Sequence, residues 1–303
     1  MEVRLGTLDQ IVGHWCPRLA IPGSPKLGQN LSMPLFYNHI DSPLSEAVRI
    51  LVRSGLFKLT IVLVGFALLL LPAAKRYRIY RLPFGQNQLR REILPALMMV
   101  CLDTVLIVGF RILFLHRMVP ASLSSVLITF VWMAGMYEVW FYVTHRLLHH
   151  PKLYFLHAQH HVAHVTEPLT SLSFSIIERL ILIGGALGLL LLGSFFLPIT
   201  QAGGALFILF NYTFNVYGHS NVEWMPEWFV RSPLGRVFFT ATFHAMHHAR
   251  YGGHYGLFTV LLDRAFGTTF PDYPQVHARA RQGLGLTRLG EKVTSDVATN
   301  GAV

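Results

Sequence analysis

From Leu180 to Gly218 the chain contains no Asp, Glu, Lys, Arg or His. A stretch like that cannot be folded freely in water. It has to be buried, and lipid is the simplest place to bury it. Three further apolar runs precede it, Leu56 to Ala74, Ile93 to Leu115 and Ala121 to Thr144. About 20 largely apolar residues span the hydrocarbon core as a helix. Pro198 divides the long stretch into Leu180–Ile199 and Ala202–Gly218, which read as a hairpin entering and leaving by the same side. The expected fold is an all-α integral membrane protein with about four to five transmembrane helices. Composition points the same way. Charged residues make up 13% of the chain, against about 25% in soluble domains.

The net charge of +10 would suit nucleic acid in a soluble protein, but an apolar chain uses Lys and Arg to flank its spans. No nucleic-acid partner is expected. Lys75 to Arg91 holds six basic residues and no acid, so this segment is expected on the cytoplasmic side. Counting spans from it places His145–Arg179, and everything after Gly218, on the same side. The N-terminal fifty or so residues fall opposite. The start of the chain is too charged for a signal peptide, so the first span would also direct targeting. Cys16 and Cys101 are the two cysteines, which excludes a disulfide framework and a thiolate metal site. Four regions follow: an N-terminal segment (1–55), N-terminal membrane helices (56–120), a catalytic domain (121–270) and a C-terminal tail (271–303).

Twelve of the sixteen histidines lie between His145 and His254. None is inside an apolar run, and all twelve fall on the expected cytoplasmic side. His145 and His149 form H-x-x-x-H. His157, His160 and His161 form H-x-x-H-H, and His244, His247 and His248 repeat it. Chance would give about 0.04 such H-x-x-H-H patterns per chain of this composition. Residues three and four apart share a helical face, so each box is expected to aim its imidazoles one way. His219 follows the fifth run. Neutral imidazole ligates Fe, Zn, Cu or Ni. Eight or nine histidines exceed one ion's needs, whereas a closed structural zinc site uses four ligands. Two adjacent ions are implied, forming a redox or hydrolytic centre at the membrane surface. Two ferrous ions there would reduce and cleave O2 and attack an unactivated C–H bond. Spacing alone does not separate iron from zinc.

The phrases "EVWFYVTHRLLHHPKLYFLHAQHHVAHVTEPLTSLSFSIIERL" and "HAMHHARYGGHYGLFTVLLDRAFGT" resemble the fatty acid hydroxylase/sterol desaturase superfamily over about Ala121 to Phe270. The resemblance implies an O2-dependent, di-iron membrane enzyme that hydroxylates or desaturates a lipid. It also implies an endoplasmic reticulum location in eukaryotes and electrons from a separate cytochrome b5-type or reductase partner. Box by box, it carries the metal-ligand role to His145, His149, His157, His160, His161, His244, His247 and His248, with His219 following. Three positions depart from the family pattern. His254 stands where Asn is usual, Ser175-Ile176 replaces His-Pro before Glu178, and His164 extends the second box.

Other residues complete the reading. His164 and His254 are possible further ligands, and His150 points off the His145/His149 face as a cap or loop residue. His14, His39, His116 and His277 are isolated. Glu138, seven residues before His145, and Asp263 in "LLDRAF" are candidates to orient a ligand imidazole. Asp103 and Arg111 would line a substrate cavity or meet headgroups. Trp132, Trp140, Trp224 and Trp228 suit an interfacial belt. The expected substrate is a sterol, a fatty acyl or sphingoid chain, or a terpenoid-like molecule. An acyl-CoA desaturase is the enzymatic alternative. A His-rich metal transporter is the alternative of another class, although transporters place ligands near the bilayer midplane.

Overall fold

The computed structural model describes residues 42–294. The expectations for Cys16, His14 and His39 fall outside the described residues. The helices are α1 (Pro43–Leu68), α2 (Pro72–Arg76), α3 (Gln88–Phe114), α4 (Leu123–Leu148), α5 (Ile176–Gly193), α6 (Gln201–Gly218), α7 (Ala241–Arg250), α8 (Leu261–Ala265) and α9 (Tyr273–Arg281). Among the described residues there are no strands, only isolated bridges. Of the five long helices, all but α3 start where the sequence supplies a side-chain cap. Ser42, Ser122, Ser175 and Thr200 accept hydrogen bonds from Ser45, Ser125, Glu178 and Gly203 amides, satisfying first-turn N–H groups that have no partner within the helix.

Four helices are long and apolar enough to cross a membrane: α1, α3 with its extension to Arg117, α4 and α5. The fifth run is a helix too, but Gln201, Asn211 and Asn215 make α6 less apolar. It packs against α4 and α1 inside the bundle. Close helix contact depends on α5 glycines. A Cβ on Gly185 would lie 2.3 Å or less from two Trp140 indole atoms, so only glycine admits that ring. Trp132 likewise turns inward, its indole N–H donating to Leu189 O at 2.9 Å. Both rings therefore take part in α4–α5 packing. Inside α3, Pro95 has no N–H to give to Arg91 O. The Gln159 side chain takes that carbonyl instead, at 3.2 Å.

The membrane-spanning bundle also holds buried charge. Asp103 of α3 accepts from Lys58 of α1 at 2.5 Å and from Arg179 of α5 at 2.7 and 2.8 Å. The Tyr212 hydroxyl of α6 donates to Asp103 at 2.9 Å and accepts from Arg179 at 2.8 Å. Arg111 pairs with Glu46 and Gln201 instead. Asp103 thus meets helices and not headgroups.

The basic Lys75–Arg91 segment lies at the histidine end of the bundle. Ile79 N–H donates to Asn221 O at 3.0 Å, Leu286 N–H to Ile79 O at 2.7 Å and Arg81 N–H to Leu286 O at 2.8 Å. Ile79, Tyr80 and Leu286 share a core with Phe243 and Met246 of α7. These contacts bind 75–91, 219–223 and 284–286 to one end. Reporter tags after Arg78, Lys152 and Val303 are therefore expected on one side of the membrane, with the N-terminus opposite. Protease protection is the measurement. Lys152 and Val303 found on different sides would contradict the arrangement.

Candidate metal centre

The three histidine boxes meet at the end of α4, and nine imidazoles sort into two groups. His145, His149, His157, His161 and His247 form one. His160, His219, His244 and His248 form the other, and within each group the ligand atoms lie within 4.8 Å of one another. The groups adjoin, with the His161 and His248 rings 4.4 Å apart. Eight of the nine are buried and His149 is half-buried.

The H-x-x-H-H boxes do not aim all three rings one way, as helical spacing led us to expect. Each box serves both groups. On α7, His244 and His248 are four apart and share a face, while His247, three from His244, faces the other group. His160 is separated from His157 and His161 in the same manner, but on different backbone. The second box lies on short 3-10 turns, Tyr154–Leu156 and His160–Val162, and not on an α-helix. His145 lies in the last turn of α4, inside a candidate span, and His149 and His219 cap α4 and α6.

What the other ring nitrogens do decides the chemistry. Nδ1–H donates to a backbone carbonyl in five rings: His145 to Tyr255 (2.9 Å), His160 to Ser173 (3.1 Å), His219 to Asn215 (2.7 Å), His247 to Gly253 (2.7 Å) and His248 to Ala163 (2.9 Å). In a sixth, His157, it donates to Glu178 Oε1 at 2.6 Å. A neutral imidazole carries one N–H, so all six present a bare Nε2 lone pair inward. His160 and His219 bring theirs within 3.3 Å of each other. Two lone pairs facing across that gap repel unless a cation lies between them. The Nε2 atoms of His145, His157 and His248 are buried without any hydrogen-bond partner. Nitrogen separations of 3.0–3.3 Å suit neighbouring ligands on one ion with bonds of roughly 2.1 Å. The donor set fits two metal ions.

Burial holds His157, His160, His161, His244, His247 and His248 well below the ordinary imidazole range, and His219 at about 4. Neighbouring imidazoles add to the effect in each of the seven. The rings are therefore neutral, the state a ligand requires.

The acids differ from expectation. Glu138 touches no imidazole. It accepts from the Phe258 and Thr259 amides (2.8 and 3.0 Å) and the Thr259 hydroxyl (2.7 Å). Asp263 accepts from the Tyr255 and Gly256 amides (2.8 and 2.7 Å) and from Thr268 Oγ1 (2.6 Å). Both therefore act one step further out, fixing the 255–259 loop whose Tyr255 carbonyl holds His145. Gly256 is required between them, since a Cβ there would lie 2.2 Å from Thr259 O and 3.0 Å from Asp263 Oδ2. The acid that does bind an imidazole is Glu178. It is the one acid in the first turn of α5, and an ionisable group at the edge of an apolar run marks a site.

His254 and His164 stand outside both groups. His254 donates from Nδ1 to Phe243 O (2.8 Å), and its Nε2 accepts from Phe270 N–H (2.9 Å), with the ring stacked on Phe243 at 3.7 Å. Neither nitrogen is left for an ion. His164 is exposed and bonded to the Tyr251 hydroxyl. His150 is exposed, its Nδ1 accepting from Lys152 N–H at 3.3 Å. His277 is buried in α9, 3.6 Å from Glu223, and His116 lies at the end of the α3 extension.

A membrane bundle with two imidazole groups at one end defines a histidine-box membrane protein. Residues 129–268 match the profile of the fatty acid hydroxylase family, in line with the resemblance of that region to the fatty acid hydroxylase/sterol desaturase superfamily. Among its relatives is the very-long-chain aldehyde decarbonylase GL1-7 of Oryza sativa subsp. japonica, 32% identical over 188 residues, 59% of this chain and 29% of that protein. Protein CER1-like 2 of Arabidopsis thaliana is 35% identical over 142 residues, 45% and 23% of the two chains. The very-long-chain aldehyde decarbonylase CER1 of the same plant is 34% identical over 140 residues, 44% and 22%. The chain spans less than a third of these relatives' length. No solved structure matches it.

The neutral rings make stability depend on pH. In metal-free protein they stay unprotonated as pH falls below about 6.5, where histidines of the unfolded chain take up protons. The unfolded state then binds more protons, so stability falls with pH from about 6.5 toward about 4, where His219 titrates. Thermal unfolding of the metal-free protein in detergent is expected to show a midpoint that drops across this window. A flat midpoint would mean that the rings protonate as readily in the fold. Glu178→Gln keeps an acceptor but removes the carboxyl group that orients His157. Metal affinity measured by chelator competition should fall about 10–100-fold.

Proposed function

We propose that the chain is an O2-dependent oxidoreductase of the membrane, hydroxylating or desaturating a lipid-like substrate at a pair of iron ions. The observation that carries this reading is the sorting of nine neutral imidazoles into two adjoining groups of inward lone pairs. The region 121–270 would be the catalytic domain, facing the cytoplasm, in the endoplasmic reticulum of a eukaryotic host. Electrons would come from a separate cytochrome b5-type or reductase protein. Supporting the choice of iron are the all-nitrogen donor set and the family profile.

The residues divide the work. His145, His149, His157, His161 and His247 would hold one ion, and His160, His219, His244 and His248 the other. Bound iron supplies the reduction of O2 and the power to take hydrogen from an unactivated C–H bond. Backbone carbonyls fix the rings, so no ring has to reorient during turnover. Phe174 stacks on His160 at 4.6 Å with the rings 5° from parallel. The Phe141 ring lies 4.9 Å from that of His145. These apolar walls keep water away from the inner faces of both groups. Because the plant relatives are named as very-long-chain aldehyde decarbonylases, a long-chain aldehyde is the second reading of the substrate. Acyl-CoA desaturation is less well supported, since the profile match is to hydroxylases. A transporter reading fails to account for imidazoles gathered at one end of the bundle.

Purified protein made under iron-replete conditions should hold about two iron ions per chain. His160→Ala and His247→Ala each remove one ligand, from different groups, and should lower lipid oxidation at least about a hundredfold. His150→Ala should retain most of it. Mass spectrometry of lipids at equal membrane abundance is the measurement, with elemental analysis alongside. Active protein with one ion or none, or near-parental turnover in both ligand variants, would overturn the reading. A His150→Ala protein as inactive as the other two would contradict the off-face assignment.

A further inference from the structure

Below the imidazoles, between α3, α4, α5 and α6, lies a narrow cavity of about 10 Å³, room for roughly one water-sized group. Its upper wall touches the metal centre. Phe174, which lines it, stacks on His160, and Asn215, also in the lining, supplies the carbonyl that holds His219. Its lower wall is formed by Tyr137 and Asn211. These residues are eight before His145 and His219, about two helical turns or 12 Å along the axis.

That lower wall has hydrogen-bond donors without acceptors. Tyr137 is 2% exposed, yet among the described residues its hydroxyl has no partner. Asn215 Nδ2 donates to Asn211 O and Oδ1 at 2.9 and 2.6 Å, and among the described residues nothing accepts from the Asn211 amide hydrogens. Arg179 lines the same space. Its cluster counts two cations, Lys58 and Arg179, against the single anion Asp103. Glu178 beside it is engaged with His157. Spare donors beside a net positive charge, inside a membrane-spanning bundle, call for an acceptor that arrives from elsewhere.

We infer that this cavity binds an oxygen acceptor on the substrate, a carbonyl, carboxylate or hydroxyl oxygen within about 12 Å of the carbon to be oxidised. The oxygen accepts from Tyr137 and Asn211. The inference rests on the oxidoreductase reading and narrows its substrate class to lipids carrying such an oxygen near the reacting position. A plain hydrocarbon chain leaves the donors buried and unpaired, and a site of this kind discriminates against it strongly.

The test reads binding, not turnover. Full-length, metal-loaded protein in phosphatidylcholine nanodiscs is kept anaerobic and without reductant. Radiolabelled octadecanol is displaced by unlabelled octadecanol, octadecanal, octadecanoate or octadecane, with protein-free discs as background. The oxygenated lipids are expected to compete at least about tenfold better than octadecane. The arm that competes best identifies the kind of oxygen. Tyr137→Phe removes only the hydroxyl. It should cut that preference severalfold while leaving the unfolding midpoint equal or higher and the metal content unchanged. Asn211→Leu should cut it independently. A hydroxyl with a purely structural role would give the opposite pattern, with lower stability and unchanged preference. Equal competition by octadecane, no protein-dependent retention, or a parental preference in both variants overturns the inference. Loss of oxidation with this preference intact would instead count against the oxidoreductase reading alone.

Discussion

Everything at the histidine end of this protein follows from one constraint: a neutral imidazole has a single N–H. In six rings that hydrogen is already committed to a carbonyl or to Glu178. The inward nitrogens of those six are then acceptors only, and two of them, on His160 and His219, face each other at 3.3 Å. Without a cation that facing pair is repulsive; with cations the two groups are a prepared binding site. The loops at 163, 173, 253 and 255 are held in place by this demand as much as by their own packing. Glu138 and Asp263, buried acids with no imidazole contact, make sense as anchors of one such loop.

Much of this was legible in the sequence. Four of the five apolar runs give their helices, the first being displaced because α1 begins at Pro43, the Pro198 break gives the turn between α5 and α6, and histidines at i, i+3 and i+4 mark eight residues that do converge, with the isolated His219 as the ninth. How each box divides was not legible. The offset between His244 and His247 is the same whether one ion or two lie beside the helix, and only the position of α7 relative to α4 decides it. The second box was assigned helical geometry from spacing alone. Pro151 and Pro168 bracket it, and the chain between them follows short turns that deliver Ala163 and Ser173 carbonyls to imidazoles. Glu138 and Glu178 carry the same signal, an acid at the edge of a span. Which one meets a ring depends on the 255–259 loop, which comes between Glu138 and the centre.

The membrane-spanning bundle departs from expectation in an informative way. Tryptophan favours interfaces, and at Trp132 and Trp140 the α5 glycines also admit the rings into helix packing. Asp103 was free to meet headgroups, yet partners from α1, α5 and α6 enclose it. Such contacts join helices far apart in sequence, and no local pattern announces them. They also place a polar layer directly beneath the centre, where hydropathy alone would put only hydrocarbon.

The carbonyls that hold the rings belong to the main chain, and this shapes how the protein can change over time. A carbonyl is present whatever side chain occupies its residue. What limits these positions is the room around them: Ala163 and Ser173 are fully buried, and a Cβ on Gly253 would lie 2.4 Å from Thr268 O. Chain length is limited as well. One residue gained or lost between His248 and Tyr255 would shift the 253 and 255 carbonyls out of register with His247 and His145 at once. Variation in these loops should be nearly empty of insertions and deletions.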